Sequence, residues 1–278
     1  MSIERTHDVT QAGAIPAAGR RKQQEITRRI RETLPFLLSF AALFVIWHLV
    51  AVFIVSSVLF PTPVAVFRKA YELTANGTLI NHAAASLWRI VLGFTLGSLM
   101  GIPIGLVIGS FSLARKLIEP WTEFLRFIPA VAMITIAVIW FGIGEGSKIF
   151  LIIYTTIFIV ILNTAAGVAS IAPNKTRAAR ALGASDLQVF FYVALPATVP
   201  FILTGMRLAM ANSFTTIVAA ELISANAGLG VMLWTGRLFM LIEEIFVALV
   251  TLGLLGFAAD RLFRMGIYRF ARRYAPVA

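Results

Sequence analysis

The stretch APNKTRAARALGASDLQVFFYVALPATVP, residues 172–200, is the longest polar interruption in an otherwise apolar chain. Pro173 ends the apolar run before it. Lys175 to Leu182 reads as a helix with Arg177 and Arg180 on its polar side. Gly183 suits a left-handed helix C-cap. Ser185 suits the N-cap of a second short helix, with Asp186 in its first turn, where a negative charge meets the positive end of the helix dipole. That helix, Asp186 to Val193, carries an apolar face of Leu187, Phe190, Phe191 and Val193, and Leu195–Pro196 is expected to end it. The product is an L of two short helices. Such a knob can enter a groove on a soluble partner, with Arg177, Arg180 and Asp186 as its polar rim. A solvated loop with a few interfacial residues is the plainer reading of the same letters.

What flanks the knob is lipid-like. Residues 149–174 and 208–220 contain no Asp, Glu, Lys or Arg, and the same holds for 36–67, 90–114, 127–144 and 245–259. A helix needs about 20 mostly apolar residues to cross the hydrocarbon core. The reading is six spans, at about 35–58, 88–110, 120–141, 148–171, 199–222 and 241–261. Composition agrees: 59% of the 278 residues are apolar and 13% charged, against roughly 45–50% and 25% in soluble domains. A simple soluble enzyme is excluded. With no cysteine in the chain, disulfides, zinc ribbons and cysteine nucleophiles are excluded too.

The net charge of +11 is sorted by position. Arg20, Arg21, Lys22, Arg28, Arg29 and Arg31 precede span one, Arg115–Lys116 follow span two, and Lys175, Arg177 and Arg180 follow span four. Arg261, Arg264, Arg269, Arg272 and Arg273 close the chain after span six. These share one side of a six-span chain; the other side holds Arg68–Lys69 with Glu72, Lys148 with Glu145, and Arg237. The positive-inside rule puts both termini in the cytosol. Orientation and anionic headgroups account for the basic excess, so no nucleic-acid partner is needed. Residues 1–34 form a basic cytosolic tail and 35–278 the membrane domain.

On the outer side, Ala65 to Thr74 reads as an interfacial helix and 223–240 as a re-entrant or interfacial hairpin. Gly93, Gly97, Gly101, Gly105 and Gly109 form a stripe along span two that permits close helix packing, with span three or five as the expected contact. Intramembrane ionisable residues are the usual functional candidates. Here they are Arg89 opening span two, Arg126 near the inner end of span three, Arg207 inside span five and Glu221 ending it. Arg207 and Glu221 lie 14 residues apart, about 21 Å, too far to pair. The arginines can offer positive potential to an anion or can snorkel. Glu221 with Glu145 can form an outer gate or hold the loops. Thr155, Thr156 and Asn163 either line a pathway or bond a neighbouring helix. His7, His48 and His82 sit in unlike settings, so no metal site is expected. The run Gly142 to Lys148 lacks the Gly-Lys-Ser/Thr order of a phosphate loop and reads as a tight turn.

Residues 172–196 resemble the EAA loop of bacterial ABC importer permeases. That pattern runs Glu-Ala-Ala, three residues, Gly, nine residues, Ile, one residue, Leu-Pro. Ala178–Ala179, Gly183, Val193 and Leu195–Pro196 occupy these places, and Arg177 stands in the Glu place. Arg126-Phe-Ile-Pro129 followed by IAVIWFGIGEGSK, Ser86-Leu-Trp-Arg89 through Gly93-Phe94, and VAAELISANAGLG around Glu221 resemble the subfamily importing nitrate, sulfonates, taurine and bicarbonate. The likeness runs from about residue 80 to 262.

The resemblance implies an all-α, type I ABC importer permease in the bacterial inner membrane. It implies a dimer, usually of identical chains, and a periplasmic or lipid-anchored binding protein that delivers solute. Two cytosolic ATPases would hold the ATP and Mg and dock on the loop at about 172–198, leaving this chain without cofactor or catalytic residue. Arg177, Ala178, Ala179, Gly183, Asp186, Val193, Leu195 and Pro196 would form the coupling element. Arg89, Arg126, Glu145, Asn163, Arg207 and Glu221 are the pathway or gate candidates. The competing reading is an ion-coupled secondary transporter working without an ATPase.

Overall fold

The computed structural model describes residues 17–55 and 59–270, and every regular element in them is helical. The chain divides into two units, Met1–Pro63 and Val64–Ala278. In the first, α1 runs Ala17–Phe53, so the helix begins within the basic tail. Trp47 donates its indole N–H to the Pro61 carbonyl at 3.1 Å and meets Phe60 edge-on. The side chains of Arg20, Arg21, Lys22, Arg28 and Arg29, and all of His7, Arg272 and Arg273, lie outside the described residues.

The second unit holds α2 (Pro63–Ala75, but for its first residue), α3 (Thr78–Ser110), α4 (Ser112–Arg126), α5 (Ala130–Phe141) and α6 (Glu145–Ala169). There follow α7 (Pro173–Ala181), α8 (Asp186–Val189), a π turn (Phe190–Ala194), α9 (Leu195–Ser224), α10 (Leu229–Leu238) and α11 (Ile242–Phe270). Among the described residues four helical segments are long and apolar enough to cross a bilayer: Thr78–Ser110, Glu145–Ala169, Asp186–Leu222 and Ile242–Ile267. The pair α4–α5 makes a fifth if counted as one span, and α1 contributes a shorter apolar stretch, Leu38–Phe53.

Two expectations about helix boundaries are corrected. The span at 120–141 is not one rod: α4 and α5 meet at a bend of 101°, across Phe127, Ile128 and Pro129. Pro129 is the N-cap of α5, with extended backbone (φ −62°, ψ 139°), so the helix restarts in a new direction. Second, Leu195–Pro196 does not end the helix after Ser185. The π turn lets the Leu195 N–H reach the Phe190 carbonyl, and Asp186–Leu222 runs on as one helical segment. A widened turn accommodates a proline, which has no N–H and whose ring would clash with the preceding turn.

The packing centre is α3 on α6, with α9 on the other flank of α6. The glycine stripe belongs to this contact, not to span three or five. A Cβ built on Gly93 would lie 2.6 Å from Ile152 Cβ, and one on Gly97 would lie 2.7 Å from Thr156 Cβ. On Gly101 it would stand 3.0 Å from the Ile157 carbonyl oxygen, and on Gly105 2.7 Å from that of Ile161. On Gly109 it would meet Val168 Cβ at 2.5 Å. Every turn of the stripe thus brings the two helices closer than a side chain on α3 would allow. On α9, Gly205 seats Asn163 in the same manner: a Cβ there would fall 2.6 Å from Asn163 Cβ. Ile90, Ile134, Leu151, Ile152 and Ile217 close the core beside these contacts.

Gly105→Ala therefore has nowhere to place its methyl except against backbone, and it should destabilise by about 1–3 kcal/mol as overpacked cores do. Gly253→Ala on α11, whose Cβ meets nothing within 4 Å, should be neutral or slightly stabilising. Thermal unfolding of both variants in one detergent checks the contrast.

Candidate functional site

α6 has two ends with different chemistry, one where it begins at Glu145 and one where it gives way to α7. The knob sits at the second end. α7 closes on Gly183, which takes φ +86°, the left-handed conformation that costs an L side chain energy. The Ala184 N–H returns to the Ala179 carbonyl at 3.1 Å, and that of Gly183 to Arg180 at 2.9 Å. Ser185 caps α8 through a full capping box: its hydroxyl accepts the Gln188 N–H, and the Gln188 amide oxygen accepts the Ser185 N–H at 2.8 Å. Arg180 spans the corner to Asp186 at 2.9 Å. Leu182 stands at the tip, 90% exposed, beside Leu187 at 71%. A hollow of about 350 Å³ lies in the crook, lined by Ala179, Gly183, Ala184, Gln188, Tyr192 and Val193 among others. Arg177 and Ala178 are exposed on α7, and Leu195 and Pro196 are half-buried where α9 leaves the π turn.

At the first end lies a buried polar clamp. Arg89, one turn into the packed part of α3, donates from Nε and Nη2 to the two Glu145 oxygens at 2.5 and 2.8 Å. From Nη1 it donates to Glu221 Oε1 and to the Ala227 carbonyl, both at 2.6 Å. Glu221 also accepts the Ser86 hydroxyl at 2.8 Å and the Gly230 N–H at 2.8 Å. Ser86 in turn accepts the Leu229 N–H, and His82 Nδ1 accepts the Gly228 N–H at 3.0 Å. Gly228 takes φ +143° because its missing Cβ leaves room for the Glu221 carboxylate, which a Cβ would approach to 2.2 Å. Side-chain exposure is 5% for Arg89 and 0% for Glu221, but 54% for Glu145. The clamp holds the loop before α10 against α3 and α9; the donors and acceptors facing inward are all engaged. Lys69 bridges α2 to the start of α11 at the same end, 3.4 Å from Glu244.

Between the two ends the α4–α5 bend opens a cavity of about 470 Å³ against α6 and α9. Arg126, Tyr154, Thr155, Asn212, Thr215 and Thr216 supply its polar lining, and Phe127, Val131, Phe158, Ile159 and Leu162 much of the rest. The Tyr154 hydroxyl donates to the Leu125 carbonyl at 2.6 Å, which fixes the bend beside the middle of α6. Tyr154 is the tenth of the 25 residues of α6, about 14 Å along a helix of 1.5 Å rise. Arg126 thus lies beside the middle of α6, where the chain turns instead of running through.

The structure brings together three of the six pathway or gate candidates, Arg89, Glu145 and Glu221, and leaves the others apart. Arg207 donates to Asp260 on α11 at 2.5 Å, and Asp260 also pairs with Arg264 one turn on. Asn163 donates to the Ile159 carbonyl of its own helix at 2.8 Å. Thr156 bonds Ser213 between α6 and α9, while Thr155 faces the cavity. Asn212, Thr215 and Thr216 escape a reading based on charge. Their signal is the polar cluster Asn-Ser-Phe-Thr-Thr, 212–216, inside a charge-free run, where positions 212, 215, 216 and 219 share one helical face.

Residues 93–273 match the family described as binding-protein-dependent transport system inner membrane component. A probable ABC transporter permease protein of Brucella melitensis is 42% identical over 226 residues, 81% of this chain and 91% of that one. The taurine transport system permease protein TauC of Escherichia coli (strain K12) is 37% identical over 243 residues, 85% and 86% of the two chains. The nitrate import permease protein NrtB of Synechocystis is 33% identical over 230 residues, 80% and 83%. In fold, the chain resembles a structure of the MetNI methionine ABC transporter in an inward facing conformation. The TM-score is 0.59 and the identity 19%, with 69% of this chain and 97% of that one covered.

Removing the buried Glu221 carboxylate leaves Arg89 its Glu145 pair but takes an acceptor from Arg89 Nη1, the Ser86 hydroxyl and the Gly230 N–H, so Glu221→Ala should cost about 1–3 kcal/mol for each buried donor left unsatisfied. Glu145→Ala takes an acceptor from Arg89 and from the buried Lys148 ammonium, but the carboxylate is 54% exposed and water can replace it there, so it should cost less than Glu221→Ala. Chemical denaturation of the two variants, with proteolysis in the 225–228 loop as a local readout, tests the ranking.

Proposed function

The chain belongs to the family of binding-protein-dependent transport inner membrane components, with the type I importer permease fold, and from that premise we propose how it works. It is the membrane-spanning permease subunit of an ABC importer, which favours the ATPase-driven reading over the ion-coupled one. Its cargo is a small solute carrying an oxyanion group, such as a sulfonate, taurine or nitrate, in line with what the relatives' names state for those proteins. Both termini and the knob face the cytosol, where the basic clusters lie. The clamp and α10 face the periplasm, where a binding protein delivers solute. Two copies of the chain enclose the pathway.

The observation that carries this reading is the knob. Gly183 at φ +86°, the capping box at Ser185 and the Arg180–Asp186 pair fix a rigid corner that presents Leu182 and Leu187 to solvent. A rigid, capped corner with an apolar tip is suited to a groove on a soluble partner. Here that partner is the ATPase, which binds the ATP and Mg. Arg177, Ala178, Ala179, Gly183, Asp186, Val193, Leu195 and Pro196 form or support the contact. Because α8, the π turn and α9 are one continuous helical segment, movement of the knob is transmitted directly into the span that lines the cavity. Nucleotide and loaded binding protein act on the same two-state equilibrium by favouring the same state.

Gly183→Val forces a β-branched residue into the left-handed region, at about 1–2 kcal/mol or more. The variant should insert normally but recover much less ATPase on co-purification, and ATP-dependent uptake in vesicles should fall with it. Full uptake by Gly183→Val would remove the coupling role. Arg177→Glu should change ATPase recovery on co-purification, because this place belongs to the contact; an unchanged complex would make it a solvated rim.

A further inference from the structure

The cavity at the α4–α5 bend has a two-part lining that specifies its occupant. Arg126 is the one formally charged residue in it. Among the described residues its ion pair is with Glu123, a neighbour one turn back at 3.5 Å that does not line the cavity. The guanidinium keeps most of its five donors for something else. The Asn212 amide and the Thr215 hydroxyl also lack a partner among the described residues. The first turn of α5 adds positive potential of the same sign, since Ala130 and Val131 lie on the cavity and begin a helix. These groups together select an anion. Against them stand Phe127, Phe158 and Leu162, and the lining as a whole is predominantly apolar.

A bare inorganic anion would satisfy Arg126 but would have to shed water against the apolar walls without compensation. A sulfonate or carboxylate head carrying a short apolar or aromatic tail satisfies both parts, and about 470 Å³ is room for one. We infer that this cavity is a transit site for a small amphipathic organic anion, its head on Arg126 with Asn212 and Thr215, its tail between Phe127 and Phe158. This rests on the permease reading, which puts the cavity on the transport path. It deepens that reading by naming where the cargo pauses and which part of the anion range the chain favours.

The test uses the full chain in lipid nanodiscs, without ATPase or binding protein, and 4-azidobenzenesulfonate as photolabel. Label should map to peptides containing Phe127–Val131 and Tyr154–Leu162. It should fall about tenfold or more in Arg126→Gln, the loss of one charged hydrogen-bonding partner, and be largely retained in Arg126→Lys. Hexanesulfonate should displace it at concentrations where nitrate does not, and Phe158→Ala should weaken displacement by hexanesulfonate more than by methanesulfonate. Undiminished labelling in Arg126→Gln would overturn the site, and equal displacement by nitrate would overturn the amphipathic assignment. Both measurements are independent of ATPase recruitment by the knob, so failure here and failure of the permease reading are told apart.

Discussion

Lipid supplies no hydrophobic force between helices, because the tails are as apolar as the side chains they would replace. A chain of this composition must therefore hold itself together by contact and by polar bonds. The glycine stripe of α3 meets that constraint. From Gly93 to Gly109, each turn lets α6 approach so closely that a Cβ on α3 would collide with its backbone or Cβ atoms. The resulting α3–α6 pair is the platform on which α5 and α9 pack. Both polar features depend on it. The clamp requires Arg89 and Glu145 to be presented from adjacent helices, and the cavity requires α6 to stand firmly behind the α4–α5 bend.

The clamp and the cavity use charge in opposite ways. Arg89 is enclosed by two carboxylates, a carbonyl and the edge of a glycine loop, so its charge is compensated internally and holds structure. Arg126 pairs with Glu123 at 3.5 Å and lies over the Phe127 ring, contacts that leave most of its N–H donors free on the cavity. Both are arginines in or beside apolar runs, and sequence spacing does not separate them. Glu145 differs from Glu221 in the same sense: its half-exposed arm is the part of the clamp that solvent or a partner can reach.

Much of the architecture is legible in the letters. Charge-free runs mark the long helices, and Gly183, Ser185 and Asp186 announce the corner through φ preference and capping chemistry, which are local properties. The remainder is not local. Pro196 reads as a helix terminator, but a π turn five residues long admits it. Residues 127–129 read as part of a span, yet the chain breaks there through Pro129 backbone geometry, with Tyr154 bonding to Leu125 from another helix. The partner of the glycine stripe is a tertiary fact: periodicity shows that a face is small, not which helix it receives. The cavity residues Asn212 and Thr215 carry no charge, so the pattern of ionisable groups does not reveal them.

The central claim is that the knob is the cytosolic handle of an otherwise passive membrane assembly. The chain has no cysteine, so single substitutions give unique labels. In intact cells, Leu182→Cys at the knob tip and Asn226→Cys in the clamp loop would be exposed to a membrane-impermeant maleimide. The account predicts labelling of Asn226→Cys from outside and protection of Leu182→Cys until the cells are opened, after which it labels unless ATPase is bound over the knob. Labelling of Leu182→Cys from outside in intact cells would contradict it.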